Sequence, residues 1–197
     1  LYVAIDNTST LTLGGSAEWK FYGNKANYYG GGVYTVKADV MISGQTITDE
    51  NSAENAGGFL YSGGAVTIEN STISNQKAEY AGAIYAADGA EISGSTFEGN
   101  KAAVATDTKN LGGGVLYVEG ELDITDSTFT DNRLTTSYAD NGGGAVFVSG
   151  DAEISGSTFD GNSYTNSNGN AEGGGGAVYV LGRVSLTNSK FIGNEVK

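Results

Sequence analysis

The chain holds 23 Asp and Glu residues but no His and no Cys, so any catalytic chemistry would have to rest on carboxylates. Their spacing argues against it. Glu91, Asp123 and Glu153 each precede an isoleucine (Ile92, Ile124, Ile154) and recur at intervals of 32 and 30 residues. A glycoside hydrolase needs two carboxyl groups converging on one bond, and a polysaccharide lyase needs a calcium-binding carboxylate cluster beside a Lys or Arg base. Here the acids are dealt out one per repeat, and the chain has only two arginines, Arg133 and Arg183. With no imidazole there is no proton shuttle near neutrality, and with no thiol there is neither a disulfide nor a thiolate site. Such a row of acids reads as a solvated face. Calcium would relieve its repulsion, and the oxygen-rich stretch 166–172 could also take calcium, but neither has a recognised ligand spacing. No cofactor is expected and the chain is read as non-catalytic.

A second set of residues could bind. Tyr34, Tyr61, Tyr85, Tyr117, Phe147 and Tyr179 each end a short segment of the type Gly31-Gly-Val-Tyr34 or Gly114-Val-Leu-Tyr117. Branched or small apolar residues flank them. If the flanks point inward, the rings point outward as one column. Such a column can contact a sugar or a protein, or it can stiffen a sheet by ring stacking.

Only a repeat can line these residues up. Phe-x-x-Asn occurs at 21–24, 97–100, 129–132, 159–162 and 191–194, with Ile47 and Ile73 filling the gap and Gln76 in the Asn place after Ile73. Five residues before this column stand Ile42, Ile68, Ile92, Ile124, Ile154 and Leu186; two residues earlier stand Val40, Val66, Ala90, Leu122, Ala152 and Val184. The two-residue step is strand alternation. Between the Ile and Phe columns come only Gly44, Asn70, Gly94, Asp126, Gly156 and Asn188, the residue types that tolerate a left-handed backbone, so this is a tight corner. Ser71, Ser95, Ser127, Ser157 and Ser189 follow it, and then a mostly Thr column from Thr46 to Thr158 reads as a β-branched outer face. The expected fold is therefore all-β: a right-handed, single-stranded parallel β-helix of about seven coils with three short strands per coil, each strand pairing with its own copy one repeat on. Inside it, Asn24, Asn100, Asn132, Asn162 and Asn194 should form an amide ladder.

The Gly-Gly-Ala-Val stretches at 63–66, 143–146 and 175–178, alternating with Phe-x-x-Asn, resemble the repeats of polymorphic outer membrane proteins and related adhesin-like β-helix proteins. The resemblance covers nearly the whole chain. It implies a secreted or cell-surface passenger with an adhesive or structural role, and as partner a glycan or protein on a host or neighbouring cell.

Charge and length agree with that reading. The net charge of −13 repels nucleic acid and anionic lipid. No apolar run reaches the roughly 18 residues of a spanning helix. Longer polar loops are expected at 101–111, 133–141 and 163–172, all leaving one corner. Residues 1–197 read as a single β-helix domain without recognisable caps. It is expected to be either a segment of a longer chain or a subunit that associates head to tail.

Overall fold

A segment such as Val66-Thr-Ile-Glu69 buries Val66 and Ile68 and turns Thr67 and Glu69 outward. Being four residues long and bounded by Gly and Asn, it has too little surface to be stable as half of a hairpin. It gains partners by stacking on its equivalents. In the computed structural model, which describes residues 1–3, 9–16, 18–48, 50–104, 111–137, 141–167 and 173–197, all the regular elements are β-strands in parallel pairs. The fold is a parallel β-helix.

Its strands form four long sheets. One coil shows the order: Ile84–Ala86, Ala90–Ser93, Thr96–Glu98, Lys101–Val104. The sheets are named here for their recurring residues, as the tyrosine, isoleucine, phenylalanine and lysine sheets. Three are seven strands deep and the phenylalanine sheet is six. Register pairs each residue with its counterpart: Tyr85 with Tyr117, Ile92 with Ile124, Phe97 with Phe129, Lys101 with Arg133.

The lysine sheet is the departure from three strands per coil. The segments expected to open the long loops begin instead as strands Lys101–Val104, Arg133–Thr136 and Ser163–Asn166. Their alternation is visible in hindsight. Ala102, Val104, Leu134 and Tyr164 point inward and form a small second core beside the main one. Residues 105–110, 138–140 and 168–172 lie outside the described residues, and with them most of the 166–172 calcium candidate.

The main core is a stack of like on like. Phe97, Phe129 and Phe159 are fully buried, with ring centroids 4.8 and 4.7 Å apart and planes within 12°. The amide ladder runs beside them. Asn100 Nδ2 donates to Asn132 Oδ1 at 3.0 Å, Asn132 Nδ2 to Asn162 Oδ1 at 2.9 Å, and Asn162 Nδ2 to Asn194 Oδ1 at 2.9 Å. Each amide also donates to a carbonyl of the neighbouring coil, as Asn132 does to Phe97 O at 3.0 Å. At the other end Asn24 donates to Asn51 and Asn51 to Gln76. Asn51 was hidden in the sequence because it stands four residues after Ile47, where the other coils have three. A serine ladder supports the other corner: Ser71, Ser95 and Ser127 each give their backbone N–H to the next serine's Oγ at 3.0–3.1 Å.

The corner column has a rule beyond its residue types. Gly44, Asn70, Gly94, Asp126, Gly156 and Asn188 all have positive φ, from 48° to 65°, and they alternate between Gly and Asn or Asp. The reason is steric. A Cβ on Gly94 would lie 2.7 Å from Asn70 Oδ1, and one on Gly156 would lie 2.1 Å from Asp126 Oδ1. Each Asn or Asp leans over the next coil's corner, which must then lack a side chain. The glycine opening each tyrosine strand answers to another constraint. A Cβ on Gly114 would stand 1.9 Å from Gly144 O, so backbone occupies that space.

Three outcomes follow for folding stability. Phe129→Ala should cost on the order of 3–5 kcal/mol in denaturant melts, since the stacked rings cannot close the cavity. Asn132→Ala leaves Asn100 N–H and Nδ2 without their acceptor and should cost at least about 3 kcal/mol, from unsatisfied groups that are buried. Gly156→Ala should be destabilising alone but less so with Asp126→Gly, which removes the carboxylate oxygen its Cβ would meet; a double-mutant cycle showing additivity would sink the steric rule.

Candidate functional site

The outward aromatic column forms because the tyrosine strands alternate. In Leu116–Val118 the two end residues are buried and Tyr117 between them faces out. Parallel register then sets each ring over the next. Centroid separations are 5.2 Å for Tyr34 to Tyr61, 4.6 Å for Tyr61 to Tyr85, 5.1 Å for Tyr85 to Tyr117 and 4.7 Å for Tyr117 to Phe147. Phe147 and Tyr179 follow at 5.9 Å. Tyr2 adds a ring at the start, 5.3 Å from Tyr34, which the repeat count had missed because its coil is incomplete in the motif.

This geometry limits what the column can touch. The pairs from Tyr2 to Tyr117 are stacked within 23° of parallel, so an interior ring has both faces against its neighbours. What remains for a ligand is ring edges and hydroxyls. Phe147 is a correction to the expected surface: it is fully buried, between Tyr117 and Tyr179, and offers no contact. The other five are half-buried. Tyr179 is tied by its hydroxyl to Asn141 Oδ1 at 2.7 Å, and the Tyr85 hydroxyl donates to Glu119 Oε1.

Burial dominates the ionisation of these phenols. It pushes Tyr117 up to about 12, with the Glu119 charge adding to it. Tyr85 is raised further, by burial first and then by the Glu119 carboxylate it donates to. Tyr61 is raised by burial and by Tyr29 and Tyr34.

Tyrosines outside the column complete the surface near its start. Tyr29 leans on Tyr61 at 4.6 Å and on Tyr34 at 6.1 Å, and Tyr28 lies 6.4 Å from Tyr29. Together with Tyr2 and Tyr34 they line a shallow hollow of about 530 Å³ that also contains Lys25 and Asn27. No motif pointed to it, because the adjacent pair Tyr28 and Tyr29 is not repeated: the next two coils carry Asn55 and Ala56, then Tyr80 and Ala81.

The carboxylates are arranged as the repeat implied. Glu91, Asp123 and Glu153 occupy adjacent rungs of the isoleucine sheet, on its outer face. With Glu69 they line a groove of about 430 Å³. A neighbouring groove holds Asp88, Glu91, Glu121 and Asp123, and one on the lysine sheet holds Glu54, Glu79 and Lys77. Two carboxylates are held ionised by ion pairs. The Lys77 ammonium, 2.7 Å from Glu50, lowers that group, and Arg183, 2.7 Å from Asp151, does the same there. Among the described residues no three Asp or Glu side chains are grouped to hold a metal ion.

The phenols carry a pH prediction. Tyr61, Tyr85 and Tyr117 have folded-state values above the unfolded value of about 10. Their contribution to stability is therefore fully present below pH ~10 and is lost as pH rises through the folded values, toward 12 for Tyr117. Absorbance titration should show exposed tyrosines ionising first and these three only later or with unfolding. Glu119→Gln should bring Tyr85 down. A single phenol transition near pH 10 in the folded protein would contradict this environment.

Comparison with protein-family models, with curated proteins and with solved structures found no match to the chain.

Proposed function

We propose that the chain is a non-catalytic scaffold of the cell surface or extracellular space. Its β-helix would present outward side chains for adhesion to a glycan or protein on a host or neighbouring cell. The observation that carries this reading is the aromatic column that runs from Tyr2 to Tyr117 on the outer face of a parallel sheet, widened by Tyr28 and Tyr29 at one end. Aromatic rings held in place by the backbone contact a ligand at low entropic cost. The resemblance to polymorphic outer membrane protein repeats supports the location. The carboxylates Glu91, Asp123 and Glu153 recur one per rung along an exposed sheet face, as a structural repeat places them, which supports binding over turnover.

A second reading has its own observation. In the last coil Val184, Leu186, Phe191 and Val196 are exposed, whereas their counterparts Ala152, Ile154, Phe159 and Tyr164 one coil earlier are buried. A further coil stacked there, from a second copy or from continuing chain, would bury them and pair the strand edges. Head-to-tail association of copies would make a filament.

Glycan and matrix-protein arrays probed with the purified chain test the first reading: selective capture supports it, and silence across both arrays refutes it. Incubation with polygalacturonate should release no reducing ends and no unsaturated products; product formation abolished by one carboxylate substitution would overturn the non-catalytic assignment. Sedimentation at rising concentration separates the second reading, with Leu186→Lys expected to abolish any assembly.

A further inference from the structure

We propose that the hollow formed by Tyr2, Tyr28, Tyr29 and Tyr34 beside Lys25 and Asn27 binds an acidic pyranose, a uronate-type sugar within a glycan. This rests on the adhesive reading and assigns it one site and one ligand chemistry. Three observations converge there.

The first is free aromatic surface. Along the column the ring faces are used up by stacking, but Tyr28 is 71% exposed and, among the described residues, meets one other ring, Tyr29, at 6.4 Å and 39°. Tyr2 is 67% exposed. A pyranose lays its C–H face against a phenol ring and keeps its hydroxyls at the polar rim, and Tyr is suited to that because one end is apolar and the other wet. The volume, about 530 Å³, falls among small-ligand pockets.

The second is charge. The chain has 23 acidic and 10 basic residues, and the three other grooves described above are lined by carboxylates. The hollow has a lysine and, among the described residues, no carboxylate. Lys25 is exposed and has no carboxylate within 4 Å among the described residues. Glu50 is near enough to feel Lys25, yet Lys77 holds it at 2.7 Å. Screening at physiological salt, over about 8 Å, mutes the distant acids and leaves the local cation to select a carboxylate.

The third is the backing. Tyr29 and Tyr34 are held by the column, through Tyr61 at 4.6 and 5.2 Å, so the floor of the hollow is preorganised for a ligand.

Calorimetric titration of the full chain with tetragalacturonate and with neutral galactotetraose tests the proposal. The acidic tetramer should bind more tightly. Lys25→Gln should weaken it about tenfold, the loss of one charge-assisted contact, and leave the neutral sugar unchanged. Tyr28→Ala should weaken both sugars, and Tyr28→Phe should restore most of the binding. Both side chains are exposed, and matching thermal melts would confirm that the variants fold. Equal binding of the two sugars, or acidic-sugar binding indifferent to both Lys25→Gln and Tyr28→Ala, would overturn this site while leaving adhesion elsewhere on the chain intact. Failure of tetragalacturonate to bind, with other glycans captured on the array, would refute the ligand assignment alone. Failure of every glycan would remove the glycan-adhesion reading as well.

Discussion

The fold depends on one constraint: each described strand lies in parallel register with its own counterpart one coil away and hydrogen-bonds to it. Strands of two to five residues cannot stand alone, and here they never have to. Successive rungs lie about 4.8 Å apart. At that distance a side chain packs on its own kind or on something of matching shape. The spacing suits flat rings, which is why Phe97, Phe129 and Phe159 stack inside and Tyr61, Tyr85 and Tyr117 stack outside. It also suits amides that can both donate and accept, which is why Asn recurs at the corner.

The same spacing is unkind to whatever cannot interdigitate. Like charges on adjacent rungs repel, so Glu91, Asp123 and Glu153 sit on an exposed face where water screens them. Two leaning side chains cannot share one corner, so Asn70 and Asp126 are each followed by a glycine. Chain length between corners is much less constrained. Coils of 24 to 32 residues coexist, and loop closure costs little as length grows. Variation in length leaves the pairing on the four long sheets undisturbed.

For binding, regularity has a cost. A perfectly stacked column hides the ring faces that a sugar would use, and Phe147 is hidden entirely. Accessible aromatic surface arises where the pattern is broken. Tyr28 and Tyr29 are such a break, in a corner where the next two coils carry Asn55 and Ala56, then Tyr80 and Ala81. In a chain of net charge −13 the break also brings Lys25 beside the rings. Selection for binding on a solenoid of this kind would act on the exceptions to the repeat, since the repeat itself is occupied with holding the coils together.

The sequence alone determined the parallel β-helix, the buried Phe129 column, the positive-φ corners at Gly94, Gly156 and Asn70, and the amide ladder. It could do so because each is a column: a local preference written at the same place in successive repeats, where repetition raises a weak signal to a clear one. Only the tertiary structure decided what depends on two coils at once or on a place where the repeat fails. The fourth strand at Lys101–Val104 becomes legible when Ala102, Leu134 and Tyr164 are seen packed together. The reason for the Gly and Asx alternation lies in a distance between coils, from Asp126 Oδ1 to the space above Gly156. The burial of Phe147 and the exposure of Tyr28 likewise follow from what covers each ring, and cover comes from residues about thirty positions away, whose proximity no local spacing records.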